Sequence, residues 1–535
     1  MKKLLSGLLL TLILVPVANA GWTGADADQI ISYFPGTTLD FLSRFPRIAA
    51  GEDGLLYSVW VQGKTLIPYE IYFSKSTDNG RTWSNTDFDQ MISADDGEGT
   101  IVSGERPVGL AVNSLGHAFV VWAESLTDAG WEIMFVKTTD GGASWVHSDT
   151  DFPLSFIGGT RANEPKIAVD HNDNLHAVWH QTSPDGSAEI YYGFSTDEGD
   201  TWTSQSADQI ISFPNGFHAL YPELAVDNNN TVYVVWKEQE TSDINSAAVY
   251  FGKKASGESH FTSETADFPI SLAHRSTTTP AVAIGPDNSI SVAYEARNDV
   301  GGSYKGAIYF TRSSDGGATW SGLTSEVNVD LDPLDDTSST DPSLVVTSEG
   351  NIAVCYCNFD LSSANKTETY VSYSYDNGVT WTGNTSPDIA CHWEMSGDNR
   401  PAYNPFMCLS AGDTLHAVWN EDCMDQGGSS GYYEIMYSRG DTLGSSGGSG
   451  GCTYVPGDIN GSGTTNGIDV TYGVSYFKGG TPPPYSCECT PGNTWYVAGD
   501  VNANCVFNGI DITYMVTFFK GGAALQYCPS CPPSM

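Results

Sequence analysis

Apolar and polar positions along the chain repeat one phrase. A proline opens an apolar stretch, a polar turn follows, and a second apolar stretch ends in tryptophan. It reads PRIAAGEDGLLYSVW from Pro46, EPKIAVDHNDNLHAVW around Pro165 and YPELAVDNNNTVYVVW around Pro222. Weaker copies begin at Pro107, Pro280, Pro342 and Pro401, so the intervals are 61, 58, 57, 58, 62 and 59 residues. Such constancy marks a repeat unit. Short stretches rich in Val, Tyr and Trp between turn residues predict strands.

A second phrase, Ser/Thr-x-Asp-x-Gly-x-x-Trp, sits about 30 residues after each proline. Its copies run from Ser76 to Trp83, Thr138 to Trp145, Ser195 to Trp202, Ser313 to Trp320 and Ser374 to Trp381. The fourth unit has a decayed form, KASGESHF, near Ser256, and the last has only YSRGDT, near Gly440. The Asp can accept hydrogen bonds from its own turn, the Gly takes a backbone conformation closed to other residues, and the Trp is an apolar plug. The box is therefore a hairpin turn with no catalytic role for its Asp. Each unit supplies four strands, two after the proline and two around the box. At the N-terminus, Gly21-Trp22 runs into ADADQIIS as Trp202 runs into SADQIIS. The N-terminal strand is thus expected to complete the last unit and join the two chain ends. The predicted fold is all-β: a seven-bladed β-propeller with box turns over residues 21–441.

Composition sharpens this picture. The formal charge is −41 on 535 residues, which argues against nucleic acid as a partner. Aromatics make up 12%, far from a disordered acidic chain. Lys2 and Lys3, the apolar run Leu4 to Val15 and Ala18-Asn19-Ala20 predict a signal peptide over residues 1–20, cleaved before Gly21. The run is too short to span a bilayer, and no later stretch is long enough, so the mature chain is expected to be secreted with no transmembrane segment. Export makes the 11 cysteines, all at or after Cys355, candidates for disulfides.

The box is that of the Asp-box, or BNR, repeat, and the chain resembles the sialidase superfamily of propellers. That resemblance implies a glycan ligand, and glycoside hydrolysis if the site is catalytic. Sialidases of the family place three arginines on the substrate carboxylate, a Tyr nucleophile backed by Glu, and an Asp acid. By similarity to the family's Phe-Arg-Ile-Pro motif, Phe45-Pro46-Arg47-Ile48 carries Arg47 over as a candidate. Other candidates stand where first strands begin and would ring one channel mouth: Arg106, Arg161 and Arg400 as carboxylate ligands, Glu105 and Glu164 as acids, and Tyr403 as nucleophile.

Asp441 to Gly451 reads DTLGSSGGSGG, a Gly/Ser linker over 442–451. Residues 452–535 differ in character. DINGSGTTNGID and DVNANCVFNGID are twelve-residue loops 42 residues apart. Their oxygen-bearing positions are Asp458, Asn460, Ser462, Asn466 and Asp469, then Asp500, Asn502, Asn504, Asn508 and Asp511. Backbone carbonyls of Thr464 and Val506 would complete calcium loops. Each loop runs into a helix in which Val470, Val474 and Phe477, or Ile512, Val516 and Phe519, recur at helical spacing. This pair is similar to a type I dockerin, a small α-helical module. The resemblance implies two Ca2+ ions and a cohesin-type partner, faced by Gly467-Ile468 and Gly509-Ile510. The chain is thus expected to be a secreted glycan-active protein, sialidase-like, on a dockerin anchor; the alternative is a non-catalytic carbohydrate-binding or adhesion propeller on the same anchor.

Overall fold

In a computed structural model the chain divides into two compact units, Trp22–Gly444 and a second made of Met1–Gly21 with Ser445–Met535. The described residues of the first are 22, 29–32, 41–64, 69–84, 89–94, 99–100, 106–126, 130–150, 152–156, 158, 161–182, 186–240, 243, 246–266, 268–274, 276–300, 303–330, 337–360, 366–382, 388–389, 402–422 and 433–442. Those of the second are 455–460, 465–483, 487–490, 493–502, 506–522 and 525–526. The expected signal peptide, Glu105, Arg400, Ser462, Thr464, Asn504 and all but residue 442 of the expected linker lie outside them.

The larger unit is mostly β, in several small antiparallel sheets. In the third repeat Ala162–Val169, Leu175–Thr182, Ala188–Ser195 and Gln209–Ile210 pair in chain order. The first strands are neighbours in turn: Phe41–Ala50, Val108–Val112, Ala162–Val169, His218–Val226, Ser276–Ile284, Thr337–Val346 and Ala402–Ser410, the last beside the first. This cyclic order is propeller-like. Second strands are covered on both faces, which is why Ala118–Leu126 starts with seven buried residues in a row. Trp60, Trp122, Trp179, Trp236 and Trp419, the tryptophans that end the first phrase, are all fully buried.

The boxes fold as expected. Ser76 Oγ donates to Asp78 at 2.8 Å, Gly80 N–H donates to Ser76 Oγ at 2.9 Å, and Thr82 gives Asp78 both N–H and O–H at 2.9 and 2.7 Å. The same set recurs around Asp140, Asp197, Asp315 and Asp376. What the box holds is not its own sheet. Trp83 meets Tyr437 edge-on at 4.9 Å, Trp145 meets Phe73 at 4.9 Å, and Trp202 meets Phe135 at 5.4 Å. Trp320 meets Phe251 at 5.1 Å and Trp381 meets Phe310 at 5.0 Å. Each partner sits on the third strand of the preceding unit. The decayed box keeps the arrangement with Phe261 on Tyr192 at 5.0 Å. In the last unit Trp22 supplies the missing ring and donates to Tyr373 OH at 3.0 Å. Beside it Gln29–Ile30 pairs with Tyr433–Thr442, so the two ends of the unit share a sheet.

First strands carry a second device. Phe45, Glu164, Tyr221, Thr279, Asp341 and Asn404 have φ between 38 and 57° and each precedes a proline. Pairing breaks at each of these six sites. Proline has no N–H for the ladder, so the strand bulges and frees carbonyls on its inner side. The last bulge precedes Pro405, four residues beyond the Pro401 that the spacing picks out; the constraint is the bulge, not the interval.

In the smaller unit, helices α1 (Gly467–Phe477) and α2 (Gly509–Phe519) pack around Ile459, Val501, Ile512 and Met515. A Cβ on Gly473 would lie 2.3 Å from Ile512 Cδ1, so the helices meet at Gly473. That turns Val474 and Phe477 outward, against the expected inner face.

The box glycine is the tightest point. A Cβ on Gly199, at φ +85°, would lie 2.2 Å from Phe135 Cζ, whereas Gly257, at φ +82°, meets nothing within 4 Å. Gly199→Ala should cost about 2–4 kcal/mol and Gly257→Ala about 1, read by urea unfolding of the full chain. Equal costs would mean that only backbone strain matters and that the aromatic is not in the way.

Candidate functional site

The bulges face a channel between the first strands, and buried charges fill it. Arg47 is 3% exposed and Arg106 4%. Arg47 Nη1 donates to Pro46 O at 2.8 Å, and its guanidinium lies over the Phe406 ring at 4.6 Å. Arg106 Nη2 donates to Pro342 O, and Nη1 lies 3.6 Å from the Glu223 carboxylate. Lys166 Nζ donates to the carbonyls of Arg106 at 3.0 Å, Pro165 at 3.2 Å and Glu164 at 3.5 Å. Of these carbonyls, those of Pro46, Glu164, Pro165 and Pro342 are ones that the bulges free. Burial, then Arg106, push Arg47 down to about 9, so it stays charged at neutral pH. Burial also holds Lys166 well below its ordinary value and raises Asp341.

The candidate residues therefore separate. Arg47, Arg106 and Glu164 are all buried in the channel, inside the ring and not on the expected rim. Arg161 is exposed, with its guanidinium over Trp131 at 5.0 Å, so among the described candidate arginines only Arg47 and Arg106 lie together. Tyr403 is half-buried in an aromatic group: its ring is 6.2 Å from Tyr433 and 6.0 Å from Phe359. Arg44 covers the Tyr433 ring at 4.7 Å. Tyr433 and Phe359 were not singled out by sequence, because only strand register brings them to Tyr403. Glu295, also missed, is 1% exposed and accepts from Thr278 and Arg297, each at 2.6 Å. Burial raises its carboxyl.

Other buried carboxylates have structural duties. Ser93 donates to Glu70, Ser155 to Glu132 and Ser212 to Glu189 at 2.6, 2.7 and 2.6 Å. Ser32 does the same for Glu434. Each clasp joins a third strand to a fourth. Trp122, Trp236 and Trp419 donate to Glu124, Glu238 and Glu421 at 2.6, 3.1 and 3.4 Å, which satisfies their buried indoles. Cys355 and Cys408 are thiols, not disulfides, and burial raises Cys355 to about 12.

In the smaller unit Asp458 is 1% exposed and Asp469, Asp500 and Asp511 are fully buried. Asp469 accepts from the N–H groups of Asn460 at 3.1 Å and Asn466 at 2.8 Å. Asp511 accepts likewise from Val501 at 3.1 Å and Asn508 at 2.8 Å. Asn466 and Asn508 cap the helices by accepting from Ile468 and Ile510 at 2.8 and 2.7 Å. Among the described residues no group of three or more His, Cys, Asp or Glu side chains is placed to hold a metal. Each loop has two carboxylates only; Asn, Ser and backbone oxygens would supply the rest. Buried carboxylate pairs with oxygen-rich neighbours fit a hard cation such as calcium. Among the described residues no helix is long and apolar enough to cross a membrane.

No protein-family model and no curated protein matches the chain. Among solved structures it is similar to a protein of unknown function from Dyadobacter fermentans, at 14% identity and TM-score 0.45, over 67% of this chain and 99% of that one. It is similar to a Trypanosoma rangeli sialidase at 13% identity and TM-score 0.41, over 78% of this chain and 58% of that one. It is also similar to the polysaccharide lyase Uly1 at 9% identity and TM-score 0.49, over 80% of this chain and all of that one.

The carboxyls fix a pH window. Hydrogen bonds from Thr82 and Thr319 hold Asp78 and Asp315 at about 2. That stabilisation is complete above the unfolded value of about 4 and is lost as pH falls through 2. Burial raises Asp330 and Glu434 to about 7. Their protonated forms favour the fold below about 4, and that contribution is lost as pH rises through 7. Melting temperatures of the full chain at constant salt should be highest near about pH 4 and fall towards pH 7. A plateau running unchanged to pH 9 would contradict the buried carboxyls.

Proposed function

We propose that the chain is a secreted carbohydrate-binding protein, a seven-bladed propeller carried on a calcium-loaded C-terminal anchor. The observation that carries this is the half-buried cluster of Arg44, Tyr433, Tyr403 and Phe359. Sugar rings present C–H faces that pack on aromatic rings, while their hydroxyls need a few placed polar groups. The buried Arg47 and Arg106 are occupied inside the channel, which favours binding over the carboxylate clamp of a sialidase-like enzyme. A hydrolase reading rests on Glu295 and Asp341. Their carboxyls are raised by burial and sense one another, and both lie near Arg297. Glycoside cleavage uses an acid raised above the ordinary carboxylate range.

Purified full-length protein should bind one class of sialylated or plant glycan without releasing product. Tyr403→Ala and Tyr433→Ala should each weaken binding about tenfold with unchanged circular dichroism. Product release that Glu295→Gln and Asp341→Asn abolish would replace the binding reading with the hydrolase one.

For the anchor, we propose two calcium ions. Asp458, Asn460, Ser462, the Thr464 carbonyl, Asn466 and Asp469 would hold one. Asp500, Asn502, Asn504, the Val506 carbonyl, Asn508 and Asp511 would hold the other. Bound calcium would neutralise the buried carboxylates and fix the loops that start both helices. Ile468 and Ile510, 65% and 64% exposed beside Gly467 and Gly509, offer two matching apolar faces to a cohesin-type partner. Chelation with EGTA should lower the melting temperature of the full chain and reduce its helical signal, and calcium should restore both. Melting and helicity indifferent to EGTA would remove calcium from the proposal.

A further inference from the structure

The junction of the second and third repeats carries an arrangement like that of Arg44 and Tyr433, on a more open surface. Trp131 lies near the start of the third strand Gly130–Thr138, and a parallel bridge joins it to Arg161, just before the first strand of the next repeat. Leu42 of the first repeat bridges Tyr433 in the same way. Arg161 is exposed, Trp131 is half-buried, and the guanidinium lies over the indole at 5.0 Å. The Arg161 carbonyl accepts from Thr182 N–H at 3.2 Å, which fixes the backbone that carries the guanidinium.

Strand register adds a second ring. Met134 pairs with Pro153, and Ser155 donates to Glu132, so the same antiparallel register sets Phe156 opposite Trp131. Phe156 is 44% exposed, yet its N–H is held by Asp208 at 2.9 Å. Two cross-strand aromatics on an open rim make a small apolar patch with polar groups around it.

Charge separates this patch from an ordinary surface. In a chain of −41, Arg106, Arg297 and Arg312 meet the carboxylates of Glu223, Glu295 and Asp287. Among the described residues no carboxylate pairs with Arg161. Glu132, next to Trp131, is turned to Ser155 and to the Gly158 N–H at 3.1 Å, and Asp208 is taken by Phe156 and Gln181. A guanidinium stacked on an indole keeps the outer edge of its fork for a bidentate acceptor. An exposed ring beside it suits the C–H face of a sugar.

We propose that Trp131, Phe156 and Arg161 form a second glycan subsite for an acidic sugar unit, a pyranose bearing a carboxylate. Its ring rests on Phe156 and the open edge of Trp131, and its carboxylate takes the Arg161 fork. The subsite rests on the carbohydrate-binding reading above and gives it a sugar class. It is separate from the cluster around Tyr403, which belongs to the first, sixth and seventh repeats.

The test uses the full chain labelled with 5-fluorotryptophan, in which Trp131→Phe identifies one of 14 indole signals. Glucuronate or N-acetylneuraminate, at up to about 50 mM, should shift that signal saturably, and the stronger of the two names the sugar. Glucose at the same ionic strength should bind about tenfold more weakly. Arg161→Gln should lose the preference for the acids with unchanged circular dichroism, and Tyr403→Ala should keep it. No acid-dependent shift at Trp131, or a full response in Arg161→Gln, overturns the subsite. Glycan binding that Tyr403→Ala weakens while the Trp131 signal stays still removes this subsite and leaves the first cluster standing.

Discussion

The larger unit depends on one recurring interaction, the edge-on packing of a box aromatic against the third strand of the preceding sheet. Sheets that are buried on both faces have no stable existence alone. Each must be fixed to the next at a defined angle. The box does this with a turn whose Ser, Asp and Thr lock one another, so the Trp arrives with little freedom left. The glycine two residues past the Asp lets the partner ring come close enough. An edge-to-face pair contributes about 0.5–1.5 kcal/mol beyond its buried area. Repeated around the unit, that sum is comparable to the whole stability of an ordinary domain.

The proline bulges are the inner counterpart of the boxes. A bulge gives up ladder hydrogen bonds and holds a non-glycine residue at positive φ, as at Thr279, where a branched side chain makes φ 38° unfavourable. What offsets this is the supply of inward bulge carbonyls to Lys166, Arg47 and Arg106. Arg47 and Arg106 are placed where backbone carbonyl dipoles converge, which is a structural reason for their position.

Much of this was legible in the sequence because it is local. The box is written within eight residues, and the capped loops before Ile468 and Ile510 within twelve, so both were visible as patterns. The partners of the box were not, because Trp202 and Phe135 belong to different units and their contact depends on how sheets stack. Depth was also hidden. Arg44 and Arg47 are three residues apart, yet one covers Tyr433 and the other lies inside the channel, because the bulge at Phe45-Pro46 intervenes. Regular spacing misled at Pro401, where a better interval won over the local constraint met at Pro405. Helical spacing misled at Val474 and Phe477, because Gly473 admits Ile512 and rotates the buried face.

The sheet shared by the two ends of the larger unit has a kinetic meaning. Ser32 Oγ receives the Ile435 N–H at 2.9 Å across 403 residues of sequence. Closing so long a loop costs about 5 kcal/mol of chain entropy relative to a local contact. The earlier sheets can stack as they emerge, but the first strand waits for the last to be made. Until then Trp22 and the aromatic face around Tyr373 have no cover. The clasp between Ser32 and Glu434 is therefore a lock that shuts last, and the ring reaches full resistance to unfolding only when its final unit has left the exit path.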